Sequence, residues 1–303
     1  METLTIREVS PRDGLQNEKV APLTTADKQR LIDSLVAAGI GSIEVTSFVK
    51  PEAVPMMRDA DAIMRYTRRT YPNLHSMGLI FNEQGIKRAL AVGAKSLALV
   101  FIVSDGLSNA NTGKPSDYWL EKYRTLIPKV RASGTWLRVY AAAAWVCPYD
   151  GQIPPERAYR YIDTLMDLGV DELCLTDVIG HAQPLQVGAM FDILAAKYGN
   201  EKLAVHLHDT QALGLANAYA AIQAGVRILD TSAGGLGGCP FAPGSAGNLA
   251  TEDLVLMAHK MGYDTGINLD MLWDTVYEFE SVIGRPLGGR TKAWYQGQLK
   301  VKR

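Results

Sequence analysis

The sequence predicts an α/β fold, a (β/α)8 TIM barrel with a C-terminal helical extension, and three observations carry that expectation. Short runs rich in β-branched residues alternate with amphipathic helical patterns. Eight such strand-like runs can be drawn, each followed by a helical pattern, which is the count for a (β/α)8 barrel. Several helical patterns end in glycine, at Gly39, Gly93, Gly169 and Gly225, where a C-terminal helix cap is expected. A doubly wound sheet is the weaker alternative.

In chain order the strand runs are LTIREV, SIEVTSF, HSMGLIF, SLALVFIV, WLRVYAAAAWV, ELCLTDV, LAVHLHD and RILDTSA. Between them lie helical patterns such as TTADKQRLIDSLVAAG, NEQGIKRALAVGA, PPERAYRYIDTLMDLG and LGLANAYAAIQAG. No linker or composition break divides the chain, so residues 1–303 read as one domain. From about residue 268 onward, the helical pattern LDMLWDTVYEFESVIG reads as an appendage packed on the barrel, and the basic end KVKR as a frayed terminus.

Composition narrows the function classes. A hydrophobic fraction of 47% and a charged fraction of 21% describe a soluble chain able to bury a large core. With 31 basic against 32 acidic residues, there is no bulk positive field to recruit nucleic acid or an anionic membrane. Cys147, Cys174 and Cys239 have no CxxC spacing and cannot all pair, which argues against a disulfide framework or structural zinc. The first strand starts too close to Met1 for a leader, and no apolar run is long enough to span a membrane. The expectation is a cytoplasmic protein, or one whose leader has been removed.

The stretch REVSPRDGLQNE places Arg12 beside Asp13 directly after the first strand. Alone, a capped strand with a solvated turn would explain the pair. In a barrel, however, reactive groups gather at the C-terminal ends of strands. Asp13 follows strand one, Glu44 lies in strand two, Asp177 near the end of strand six, and His206, His208 and Asp209 at the end of strand seven. Side chains alternate along a strand, so His206 and His208 point to one side and can share an ion. Asp13 and Asn248 would add oxygen ligands. Two imidazoles, a carboxylate and an amide leave two open positions on an octahedral ion, which suits Mg²⁺ or Mn²⁺. The segment AGGLGGCPFAPGSAGN, with six glycines, reads as a closing lid carrying Cys239, in preference to a flexible connection. Cys147 and Cys174 sit in strand contexts and read as structural.

RDGLQNE, IEVTSF, CPYDG, HLHDT and GLGGCPFAPGSAGNLATEDLV together resemble the 3-hydroxy-3-methylglutaryl-CoA lyase family of the DRE-TIM metallolyase superfamily. The resemblance implies that Asp13, His206, His208 and Asn248 hold the cation, that Arg12 stands beside the forming enolate, and that Cys239 rides a mobile loop. Glu44, Asp177 and Glu8 match further active-site acids. The implied reaction is retro-Claisen cleavage of a 3-hydroxyacyl-CoA to acetyl-CoA and a ketoacid such as acetoacetate. The metal would chelate the hydroxyl and the distal carboxylate, and Arg12 would act as an oxyanion hole. Asp177 or His206 would be the proton acceptor and Cys239 the donor to the carbanion; the residues do not separate these assignments. Glu44 and Glu8 would orient Arg12 and the ligands.

Lys50, Asn111 and Arg138, with Lys114, are the positions considered for coenzyme A at the barrel mouth. A homodimer is the family expectation. Departures from the family pattern fall on the pocket walls: Ala142, Ala143, Ala144 and Trp145 replace a segment with serine and cysteine, TDVIG replaces GDTIG, and Asp105 replaces glutamate. With the cation set intact and the walls more apolar, the same bond is expected to break in a different acyl group. A condensing enzyme of isopropylmalate synthase type, a 4-hydroxy-2-oxo acid aldolase and a metal-stabilised scaffold are the competing readings. The first usually continues into a regulatory domain, and the lid sequence argues against the second. A scaffold would not explain Arg12 and Cys239.

Overall fold

A computed structural model describes residues 1–18, 23–238 and 247–301. All eight expected strands are present: β1 (Thr5–Glu8), β2 (Ser42–Ser47), β3 (His75–Ile80), β4 (Ser96–Ile102), β5 (Trp136–Ala142), β6 (Glu172–Asp177), β7 (Leu203–Leu207) and β8 (Ile228–Thr231). They pair in parallel and close a barrel in the order β1-β8-β7-β6-β5-β4-β3-β2. The helices are α1 (Thr25–Ala37), α2 (Ala60–Thr70), α3 (Glu83–Ala91), α4 (Asp105–Thr112), α5 (Ser116–Ala132), α6 (Pro155–Asp167), α7 (Pro184–Tyr198), α8 (Gly214–Gln223), α9 (Thr251–Lys260), α10 (Leu269–Ile283) and α11 (Lys292–Val301).

Local sequence sets the boundaries. Thr24 and Asp27 form a reciprocal capping box at the start of α1, which satisfies backbone N–H groups that the helix leaves open. Gly39, Gly93, Gly169 and Gly225 each follow a helix in the left-handed conformation expected of them. Strand β5 ends sooner than WLRVYAAAAWV predicts. Ala143 turns left-handed at φ 57°, and Val146–Cys147 instead pairs with Gly151–Gln152 in a small hairpin. The main core lies between barrel and helices, where Leu31, Phe101, Tyr161 and Phe191 are buried. The appended α10 packs on α1 and α9, and its Trp273 stacks on Tyr295 of α11 with ring centroids 4.9 Å apart.

Inside the barrel the strands alternate as expected, but the inward residues of the lower part are charged. Arg7, Arg138, Glu172 and Asp230 are all buried there. Arg7 and Arg138 both reach Glu172, and Arg138 also reaches Asp230 at 2.6 Å. Leu79, Ala98, Tyr140, Cys174 and Ala204 form a second buried cluster inside the barrel, and of these Leu79 and Tyr140 reach the cavity at its open end.

Candidate active site

The site begins where β1 stops. The Val9 carbonyl accepts the N–H groups of Arg12, Asp13 and Gly14, at 3.2, 2.8 and 3.2 Å, which winds Ser10–Gly14 into a π-helical turn. A side chain at Gly14 would put its Cβ 2.9 Å from Leu236 Cβ, so glycine lets the segment after β8 pack directly on the turn. The turn places Arg12 and Asp13 on the cavity. Arg12 Nε donates to Glu44 Oε2 and Nη1 to Asp13 Oδ1, both at 2.6 Å. Burial opposes the guanidinium charge, yet Glu44 and Asp13 outweigh it and raise the Arg12 pKa. Burial alone would raise the Asp13 carboxyl; Arg12 and the neighbouring imidazoles overrule it and hold it at about 2.

Asp13 divides its oxygens. Oδ1 accepts from Arg12 and, at 3.0 Å, from Gln16; Oδ2 accepts from Asn248 Nδ2 at 2.8 Å and lies 4.0 Å from His206 Nε2. Asp13, His206 and His208 offer ligand atoms all within 4.8 Å of one another. Among the described residues, His208 Nδ1 and Asn248 Oδ1 are buried without a hydrogen-bond partner. Burial, reinforced by His206, lowers the His208 pKa to about 4 and keeps its imidazole neutral, the form that ligates. A carboxylate and two imidazoles with ligand atoms this close, beside an amide oxygen left without a partner, fit a divalent cation. A bridge between His208 and Asn248 brings Asn248 to the set from the far side of the glycine-rich segment.

Asp13, His206 and His208, with Arg12, line one side of a cavity of about 450 Å³. The opposite wall is apolar, with Leu79, Phe81, Val100, Ile102, Ala142 and Val178. The polar side comes from the turn after β1 and the end of β7, and the apolar wall from β3 to β6 and the segments at their C-terminal ends, with Val49, Ala53 and Val54 added from the segment after β2.

Several expected residues take other positions. Asp177 does not line the described cavity: its oxygens accept the backbone N–H groups of His181 and Ala182, at 3.1 and 2.9 Å, so it caps its own loop. The neighbours Thr176 and Val178 face the cavity instead, as strand alternation requires. Arg138 is not at the barrel mouth. It sits four residues before Ala142, roughly 13 Å down the strand at 3.3 Å per residue, fully buried against Asp230 and Glu172. Asp209 caps α8 through Gly214 N and pairs with Arg290. Glu8 is buried and ties β1 to the segment after β8 and to α9, accepting from Ala233 N and Thr251 Oγ1. Asn111 lines the cavity, while Lys50 and Lys114 are exposed on neighbouring loops. Cys239 lies outside the described residues.

Three site residues went unassigned from sequence. Gln16 stood inside the RDGLQNE motif, but its direction depends on the π-helical turn. Tyr140 forms the cavity floor, edge-on to His206. Asp230 accepts from His206 Nδ1 at 3.3 Å. A single acid in the apolar run RILDTSA was the signal for it.

The HMGL-like family model matches residues 3–277. The chain belongs to the HMGL-like family. This HMGL-like chain is 41% identical over 271 residues to the mitochondrial hydroxymethylglutaryl-CoA lyase of Bos taurus, covering 88% of this chain and 82% of that one. It is 38% identical over 296 residues to the (R)-citramalyl-CoA lyase of Chloroflexus aurantiacus, covering 95% and 93%. The solved Bacillus subtilis HMG-CoA lyase superposes with a TM-score of 0.92 at 35% identity over 98% of this chain and 99% of that one. An Acinetobacter baumannii HMG-CoA lyase, solved with coenzyme A and 3-methylmalate, gives 0.90 at 34% identity over 95% and 94%. The HMGL-like chain is a carbon-carbon lyase of this kind. Among the described residues, no helix is long and apolar enough to cross a membrane.

Proposed function

We propose that this HMGL-like lyase cleaves a 3-hydroxyacyl-CoA of the 3-hydroxy-3-methylglutaryl-CoA type to acetyl-CoA and a ketoacid, and prefers a larger or differently branched substituent at C3. The observation that carries the reading is one cavity with a cation set and Arg12 on one side and hydrocarbon on the other. Identity does not select the acyl group. Relatives at 38% and 41% are named for two different ones, so the cavity wall must decide.

Asp13, His206, His208 and Asn248 would hold Mg²⁺ or Mn²⁺, which supplies Lewis-acid stabilisation of oxygen charge. Arg12, fixed by Glu44, meets the enolate oxygen with a permanent positive charge. Asp177 is engaged by its loop and is withdrawn as a proton acceptor. One lone pair on His206 Nε2 cannot hold a cation and a proton together; with Nδ1 facing Asp230, His206 is kept as a ligand, and the 3-hydroxyl proton passes to solvent water in the open cavity. Cys239 is kept as the donor to the carbanion from its place in the glycine-rich segment. Lys50 and Asn111 serve coenzyme A, with Lys114 beside them. A homodimer fits the outer faces of α7 and α8, where Leu185, Ile193 and Tyr219 are exposed and α8 carries no charged residue.

The test is acetyl-CoA release from hydroxymethylglutaryl-CoA and from analogues with longer C3 substituents, with Mg²⁺ or Mn²⁺ and then with chelator. Metal-dependent release, faster for the longer analogues, is the expected result. Full efficiency on the methyl compound with rejection of bulkier ones would overturn the acyl preference. Turnover insensitive to chelator would overturn the cation.

A further inference from the structure

The charged residues inside the lower barrel form a chain that ends on the active site. Arg7 Nε donates to Glu172 Oε1 at 3.0 Å, Arg138 Nε lies 3.0 Å from the same oxygen, and Arg138 Nη2 donates to Asp230 Oδ1 at 2.6 Å. The other Asp230 oxygen faces His206 Nδ1 at 3.3 Å. Register explains the meeting. Asp230 of β8 pairs directly with His206 of β7, so both side chains enter the barrel on one level, a strand spacing apart. Every member is buried, and solvent does not compete for these bonds.

We infer that Asp230 is a positioning residue for the cation site, and that Arg138 is what holds it. A carboxylate on Nδ1 requires the proton on that nitrogen, which leaves the Nε2 lone pair facing Asp13 Oδ2, 4.0 Å away, and free to ligate a cation. Arg138 keeps Asp230 ionised and fixes its second oxygen, so the carboxylate cannot rotate away from the imidazole. The barrel interior therefore sets the His206 tautomer before any cation arrives. The inference rests on the proposed cation site, and its test separates the two.

Nitrogen-15 NMR of histidine-labelled, metal-free protein at alkaline pH reports the tautomer. Protonation of His206 at Nδ1 is expected; protonation at Nε2 would overturn the inference and needs no variant. Titration with Mn²⁺, followed by electron paramagnetic resonance of the free ion, reports affinity. In Asp230→Asn one amide oxygen must serve both Arg138 and His206, so one of them loses its acceptor. The Mn²⁺ dissociation constant should rise about 10- to 100-fold, with circular dichroism unchanged. Equal affinity in a folded Asp230→Asn protein would sink the positioning role. Failure of the unsubstituted protein to bind Mn²⁺ would instead sink the cation reading, while the tautomer still decides for or against Asp230.

Discussion

Arg12 is bonded to Glu44 through Nε at 2.6 Å, across the junction between β1 and β2. Glu44 is fully buried, and Arg12 is the cation it meets, so the carboxylate fixes one edge of the guanidinium and leaves the rest to face the cavity. Replacing Glu44 by glutamine keeps the shape but removes the charge that holds Arg12. Glu44→Gln should lower kcat about 10- to 100-fold, with KM little changed, in steady-state acetyl-CoA release. An unchanged kcat would mean that Asp13 alone orients the arginine.

Arg12 itself touches the reacting oxygen in the proposed reaction. A lysine keeps the charge but loses the planar fork that engages Glu44 and Asp13 together. Arg12→Lys should cost about 10²- to 10³-fold in kcat, with a smaller loss of Mn²⁺ affinity through its bond to Asp13.

Ala142 is small and buried, and lies in the cavity wall at the end of β5. Added methyl groups there occupy the volume assigned to the C3 substituent. Ala142→Val should lower kcat/KM for longer substituents relative to methyl, by about 10- to 200-fold per methylene excluded. Equal losses on all substrates would show that the wall is not where they differ.

Glu252 supplies a pH prediction for stability. It is buried at the start of α9, where its oxygens accept from Gly234 N and Gly289 N. Burial outweighs these bonds and pushes the carboxyl from 4.5 to about 7. The folded state therefore binds this proton more tightly than the unfolded state. Its contribution is complete below the unfolded pKa and is lost as pH rises through about 7. Urea unfolding should show stability falling by on the order of 1 kcal/mol per pH unit across that window, and Glu252→Gln should remove that part of the slope.

The barrel was legible because β-branched runs, amphipathic helices and terminal glycines repeat in one order. His206 and His208 were legible because alternation alone puts them on one side of β7. Depth was not. Arg138 and Ala142 share one face of β5, yet one lies at the bottom of the barrel and the other at its mouth; only the strand's end distinguishes them, and the left-handed Ala143 sets that end. Asp177 shows the same limit. Its place at the end of β6 was legible, but alternation turns Thr176 and Val178 to the cavity, and Asp177 accepts its own loop's backbone N–H groups.

The turn after β1 and the end of β7 bring Arg12, Asp13, His206 and His208 to the cavity, while β3 to β6 and the segments after them bring Leu79, Phe81, Val100, Ile102, Ala142 and Val178, joined by Val49, Ala53 and Val54 from the segment after β2. In the proposed reaction, bond cleavage and choice of acyl chain would therefore draw on different strands of one scaffold. A designer seeking a new acyl specificity would vary the apolar positions and leave the turn after β1 and the end of β7 alone.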